Sequence, residues 1–144
     1  MARLRIKPPS APAFSVELPV RVTDLNYGKH LGHMEVVGLM HEARVRFLEH
    51  LGMTELDAEG TNLLVVDLAV SYRAEAFCGD RLEVSIGVEP EGSRGLTMVY
   101  GLRRMSDDVV VAVGRTGVVF VDATTRRLVQ APKALRVCTE EVSL

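Results

Sequence analysis

Between residues 24 and 33 the chain gathers Asp24, Asn26, His30 and His33, interleaved with Gly28 and Gly32. A carboxylate, an amide and two imidazoles in one short polar loop are an inventory for moving protons and orienting a water molecule. A helix is expected directly after them, from about Met34. The first turn of a helix leaves its N–H groups unpaired and carries roughly half a positive charge. Such an end can hold the oxygen of a polarised carbonyl, and one donor of that kind contributes about 3 kcal/mol to a transition state. Together these features suit hydrolysis of an acyl group by activated water. Asp24, Asn26, His30 and His33 are the expected catalytic positions; Tyr27, Gly28, Gly32 and Met34 are the expected substrate contacts. The same residues also admit an ordinary explanation, with Asp24 capping the loop, Asn26 accommodating a turn and the glycines serving backbone geometry.

The elements around this loop follow from hydrophobic period. Phe14, Val16, Leu18, Val20 and Val22 alternate with polar residues, which predicts a half-buried strand with Pro19 at an edge or bulge. Asp24 continues that alternation, so its carboxylate is expected on the apolar side, where it needs partners or a function. From residue 34 to 51 the apolar positions Val36, Met40, Ala43, Phe47 and Leu51 recur at helical spacing. Glu35, Glu42 and Glu49 fall on the opposite stripe with Arg46, and Gly52 is placed to end the helix. Four further strands are expected, over residues 63–73, 81–89, 96–102 and 109–122, with turns around 90–95 and 107–108. One antiparallel sheet of about five strands with one long helix is the economical α+β architecture. Residues 1–13 form an expected flexible arm and 14–144 a single domain. A single helix leaves the second face of the sheet uncovered, particularly along 109–121, which points to a homo-oligomer.

Composition narrows the classes. The 144 residues are 47% hydrophobic and 25% charged, which excludes a disordered or low-complexity chain. Seventeen Lys and Arg against nineteen Asp and Glu give no global basic field, so nucleic acid is not an expected partner. No apolar run is long enough for a membrane span, and the N-terminal residues lack the apolar centre of a signal peptide. Cys78 and Cys138 fall short of a disulfide framework or a zinc-ligand set, so a cytoplasmic location without a metal is expected.

The stretch Thr23-Asp24-Leu25-Asn26-Tyr27-Gly28-Lys29-His30-Leu31-Gly32-His33, leading into His41-Glu42-Ala43-Arg44, resembles the hotdog-fold acyl-CoA thioesterases of the 4-hydroxybenzoyl-CoA thioesterase and YbgC type. Ser71-Tyr72, Gly79-Asp80 and Asp122 with Thr125-Arg126 fit the same pattern, so the likeness runs from Phe14 to about Leu135. The resemblance implies a sheet curled around a central helix, dimers built by extending the sheet, and active sites at the subunit boundary. Such dimers often pair into tetramers. It also implies hydrolysis of acyl-CoA thioesters without a cofactor. On this pattern Asp24 matches the first Asp of the family loop, and His30 and His33 match its histidines. Asn26 stands where the family has its second Asp, the nucleophile or base. An amide can neither attack a thioester nor take up a proton usefully. The base is then Asp24, a histidine or Glu35. The alternative function is a non-catalytic hotdog protein that binds acyl-CoA or an acyl-carrier protein; a hydratase on the same fold is a third. The phosphates of CoA call for basic residues at its exit, for which Arg94, Arg103, Arg104, Arg126, Arg127 and Lys133 are available.

Overall fold

The computed structural model describes residues 3–142, with side chains through residue 139. In chain order the elements are β1 (Phe14–Pro19), a short 3-10 turn (Val22–Asp24), α1 (His33–His50), β2 (Thr61–Tyr72) and β3 (Arg81–Glu91). They continue with β4 (Gly95–Arg104), β5 (Val110–Asp122), β6 (Leu128–Val129) and α2 (Lys133–Val142). The strands form one sheet in the order β1-β3-β4-β5-β2, antiparallel throughout, with the two-residue β6 added to β5. This is the hotdog arrangement, with α1 cradled by the sheet.

The helix is held by its apolar stripe. Val36, Leu39, Met40, Ala43, Phe47 and Leu48 are buried against Leu82, Val84 and Ile86 of β3, Met98, Tyr100 and Leu102 of β4, and Val118 and Phe120 of β5. Phe47 also stacks on Phe14 of β1, with ring centroids 5.4 Å apart. The helix closes with a Schellman motif: the Met53 N–H donates to the Leu48 carbonyl (2.8 Å), and the Gly52 N–H to that of Glu49 (2.9 Å). Gly52 sits at φ +77°, where a side chain would be strained.

Several expectations are corrected. The first strand ends at Pro19, so the alternation carried on to Asp24 does not exist; Asp24 lies in the 3-10 turn and is buried for another reason, given below. The helix starts at His33 rather than Met34, and β3 runs on through Pro90 to Glu91. A second helix, α2, was not expected; Leu135 and Cys138 pack it onto the core, and Pro132 accepts from the Arg136 N–H at its start.

The apolar residues of β5 are not open either. Val111, Val113 and Val121 are buried, and on the face away from α1 residues 3–9 lie across the sheet. Ile6 is buried with Val99 and Val113, and Pro9 sits against Gly87, where a Cβ would approach its own Cβ to 2.8 Å. A run of exposed apolar side chains lies instead on the edge strand β2: Leu64, Val65, Val66, Leu68 and Tyr72. Among the described residues no helix is long and apolar enough to cross a membrane.

Candidate functional site

The loop between the 3-10 turn and α1 is a closed local unit. Leu25 and Leu31 pair as an antiparallel bridge, and the Asn26 N–H donates to the His30 carbonyl at 2.8 Å. The Asn26 side-chain oxygen accepts from the Gly28 N–H (2.9 Å) and the His30 N–H (3.4 Å). That is an Asx turn, and it explains why an amide serves at this position. Its Oδ1 is committed to the loop, which leaves the Nδ2 donors for other partners. Lys29 takes a left-handed conformation at φ +66° to complete the turn. The Leu31 N–H to the Ala76 carbonyl (2.8 Å) and the Gly32 N–H to the Asp24 carbonyl (3.0 Å) fasten the loop to its neighbours.

Gly32 is the N-cap of α1 and offers no side-chain cap. The first intrahelical bond is from the Val36 N–H to the Gly32 carbonyl, so helix geometry leaves the N–H groups of His33, Met34 and Glu35 without an intrahelical partner. Glu35 folds back over Gly32, so that a Cβ there would lie 1.9 Å from its Oε1 and the Glu35 side chain would have to turn aside.

Two clefts flank this helix end, and they divide the expected site residues. One, of about 400 Å³, is lined by Asp24, Arg21, Met34, Glu35, Glu42 and Arg46 among others. The Asp24 carboxylate accepts from the Arg21 N–H (2.8 Å) and from its guanidinium (3.1 and 3.2 Å). Burial alone would raise the Asp24 pKa, but the hydrogen bonds and charge of Arg21 outweigh it and hold the carboxyl below its ordinary value. Asp24 is thus an ion-paired staple of the turn.

The other cleft, of about 330 Å³, is lined by Asn26, His30, Leu31, His33, Tyr72, Arg73, Ala74 and Glu75. Here the two histidines differ. His30 Nδ1 donates to the Leu31 carbonyl at 3.3 Å, and its ring folds back beside Gly28. His33 is exposed and meets the Tyr72 ring edge-on at 6.3 Å, while the Tyr72 hydroxyl donates to the His33 carbonyl at 2.7 Å. Burial raises the Tyr72 pKa, which keeps it a donor at neutral pH. Tyr27, at the loop tip, is fully exposed, and neither it nor Gly28 lines either cleft.

Tyr72, Arg73 and Glu75 join the site without having been picked out for it in the sequence. They lie at and just beyond the end of β2, where period-two alternation stops and no longer tells which way a side chain points. The motif residues His41 and Arg44 point away from the site: His41 Nε2 lies 2.7 Å and Arg44 Nε 2.9 Å from the Glu55 carboxylate. Arg44 also donates to the Tyr100 hydroxyl (3.2 Å), itself 2.8 Å from Thr116 Oγ1, so this buried chain ties the loop after α1 to the sheet. Among the described residues no three His, Cys, Asp or Glu side chains converge as a metal site.

The sequence profile of the thioesterase-like superfamily matches residues 20–137, and the chain belongs to that family. Membership supports thioester hydrolysis as the general chemistry. Among solved structures, the 1,4-dihydroxy-2-naphthoyl-CoA thioesterase Slr0204 from Synechocystis is 18% identical, with a TM-score of 0.79 over 91% of this chain and 98% of that one. The hypothetical protein SAV2348 from Staphylococcus aureus, solved in complex with CoA, is 15% identical over 90% and 82% of the two chains, with a TM-score of 0.78. The hypothetical protein TT1821 from Thermus thermophilus is 27% identical over 86% and 98%, with a TM-score of 0.75. No curated protein matches the chain in sequence.

Proposed function

We propose that the protein is an acyl-CoA thioesterase working in the cleft of Asn26, His33 and Glu75. The observation that carries this is that an exposed His33 and Asn26 line one cleft at the N-terminus of α1, which has no side-chain cap. His33 takes a proton from water as the water oxygen attacks the thioester carbon. The developing oxyanion is held by Asn26 Nδ2 and the first N–H groups of α1. The carbon–sulfur bond then breaks, and the thiolate receives the proton from the His33 imidazolium. Water and thioester are thereby converted to free acid and CoA. Asp24 keeps the loop in place through Arg21 and takes no proton, since its carboxyl is held at low pKa in the other cleft.

The proposal includes a homo-oligomer, a dimer or a dimer of dimers, joined through β2. Its open edge and exposed Leu64, Val65 and Leu68 support sheet extension, which would bring a second copy beside the cleft. It also includes a cytoplasmic location, in keeping with the exposed free thiol of Cys78.

One observation favours a second reading, a protein that binds acyl-CoA or an acyl-carrier protein without turnover: Asn26 Oδ1 is locked in the loop and Asp24 is locked in an ion pair. Free-thiol release from short, medium, long and aromatic acyl-CoAs separates the two. Turnover abolished by His33→Ala is expected. Saturable binding with no thiol release from any of them would overturn the enzyme reading.

A further inference from the structure

Residues 3–7 carry three cations, Arg3, Arg5 and Lys7, all exposed. None has a carboxylate within 4 Å among the described residues, whereas Arg21, Arg44, Arg46, Arg81, Arg103 and Arg104 are each ion-paired. Two of the arginines that the sequence offered for phosphate binding, Arg103 and Arg104, are therefore already engaged. The path of the segment is set by other contacts: Ile6 is buried, Pro9 packs on Gly87 and Gly101, and the Arg73 guanidinium donates to the Ile6 carbonyl. The three cations do none of this anchoring; Arg5 and Lys7 also line a neighbouring cleft with Asp67 and Glu89 but are ion-paired to neither.

They border a cleft of about 510 Å³ between this segment and the end of β2, shared with Leu4, Tyr72 and Arg73 and lined by no Asp or Glu among the described residues. Its volume is in the ordinary range for a small-molecule site. Tyr72 and Arg73 also line the cleft of Asn26 and His33, so the two spaces adjoin. We infer that Arg3, Arg5 and Lys7, with Arg73, form an anion subsite that takes the phosphates of the CoA nucleotide while the thioester lies at His33. The inference rests on the acyl-CoA reading. Guanidinium and ammonium groups lining one cleft suit phosphate oxygens, and Leu4 and Tyr72 give the cleft apolar surface for the adenine. A recessed cleft also suits a nucleotide better than the convex acidic surface of a carrier protein.

The test is binding of adenosine 3′,5′-bisphosphate by calorimetry, to the full chain and to a variant carrying Arg3→Ala, Arg5→Ala and Lys7→Ala. These side chains are exposed, so the fold is expected to survive, which circular dichroism verifies. The variant is expected to bind about tenfold more weakly, and wild-type binding to weaken as salt rises. Arg81→Ala, which removes a cation already paired with Glu17, is expected to leave binding unchanged. Equal binding by the triple variant and wild type overturns the inference. In turnover, the ratio of kcat/KM for acyl-CoA to that for the phosphate-free N-acetylcysteamine thioester should fall about tenfold in the variant. A fall only with an acyl-carrier-protein substrate also overturns it, in favour of a protein partner. A wild type that hydrolyses no thioester refutes the enzyme reading alone, because the nucleotide titration is read without turnover.

Discussion

The two clefts beside the start of α1 are built from similar kinds of residue and differ in how those residues are used. On the Asp24 side two of the three carboxylates are ion-paired, Asp24 with Arg21 and Glu42 with Arg46, and Glu35 lies beside them without an ion pair among the described residues. On the Asn26 side the exposed His33 is held through its backbone carbonyl and an edge-on ring, and its imidazole has no ion pair among the described residues. Matched charge lowers the free energy of the folded chain but has no proton to lend at neutral pH. An open imidazole contributes little to the fold and can exchange a proton with a substrate. The carboxylate that the loop pattern highlights is therefore tied into the fold, and the proposed chemistry falls to the less conspicuous side.

That contrast is most exposed to a change at His33. His33→Ala should lower kcat at least a hundredfold while shifting Tm by no more than a degree or two, as steady-state thiol release and thermal melts would show. The converse, a collapse of Tm with activity per folded molecule intact, would erase the distinction between the clefts. Asp24→Asn should do the opposite, costing about 1–3 kcal/mol of stability because the Arg21 guanidinium and N–H lose their charged acceptor. Its pH dependence follows from sign: the folded carboxyl has the lower pKa, so its contribution is complete above the unfolded value of about 4. The gap between wild type and Asp24→Asn, followed by urea melts, should hold from pH 7 to about 4 and narrow below that. The smallest effect is expected at Arg46. Its pair with Glu42 is half exposed on both sides, and Arg46→Ala should change stability by no more than about 0.5 kcal/mol in the same melts.

The sheet was legible because one face of most strands meets α1 and so alternates. The helix was legible from its wide apolar stripe, down to Gly52 and the Glu42–Arg46 pair. Asp24 was expected to be buried and is, but through Arg21 across a 3-10 turn; Pro19 had already ended the strand whose parity suggested it. The second helix was missed because ten residues with Leu135 and Cys138 inward give only a short periodic signal. The division of the site into two clefts was not legible at all. It depends on side-chain directions around one turn of α1 and on Tyr72, Arg73 and Glu75, which arrive some forty residues later at the end of another strand.

The register of β2 has a consequence for how the molecule comes apart. Strands β3, β4 and β5 follow one another as hairpins, but β2 pairs with β5 across a long stretch of intervening chain, Tyr72 opposite Ala112 and Thr61 opposite Asp122. It is also an edge strand, interrupted by a bulge between Val65 and Asp67. Peeling β2 from β5 carries Tyr72 and Arg73 away from Asn26 and His33 without disturbing a single pairing of the β3–β4–β5 meander. For this protein, fraying at one margin of the sheet and dismantling of the cleft are the same event.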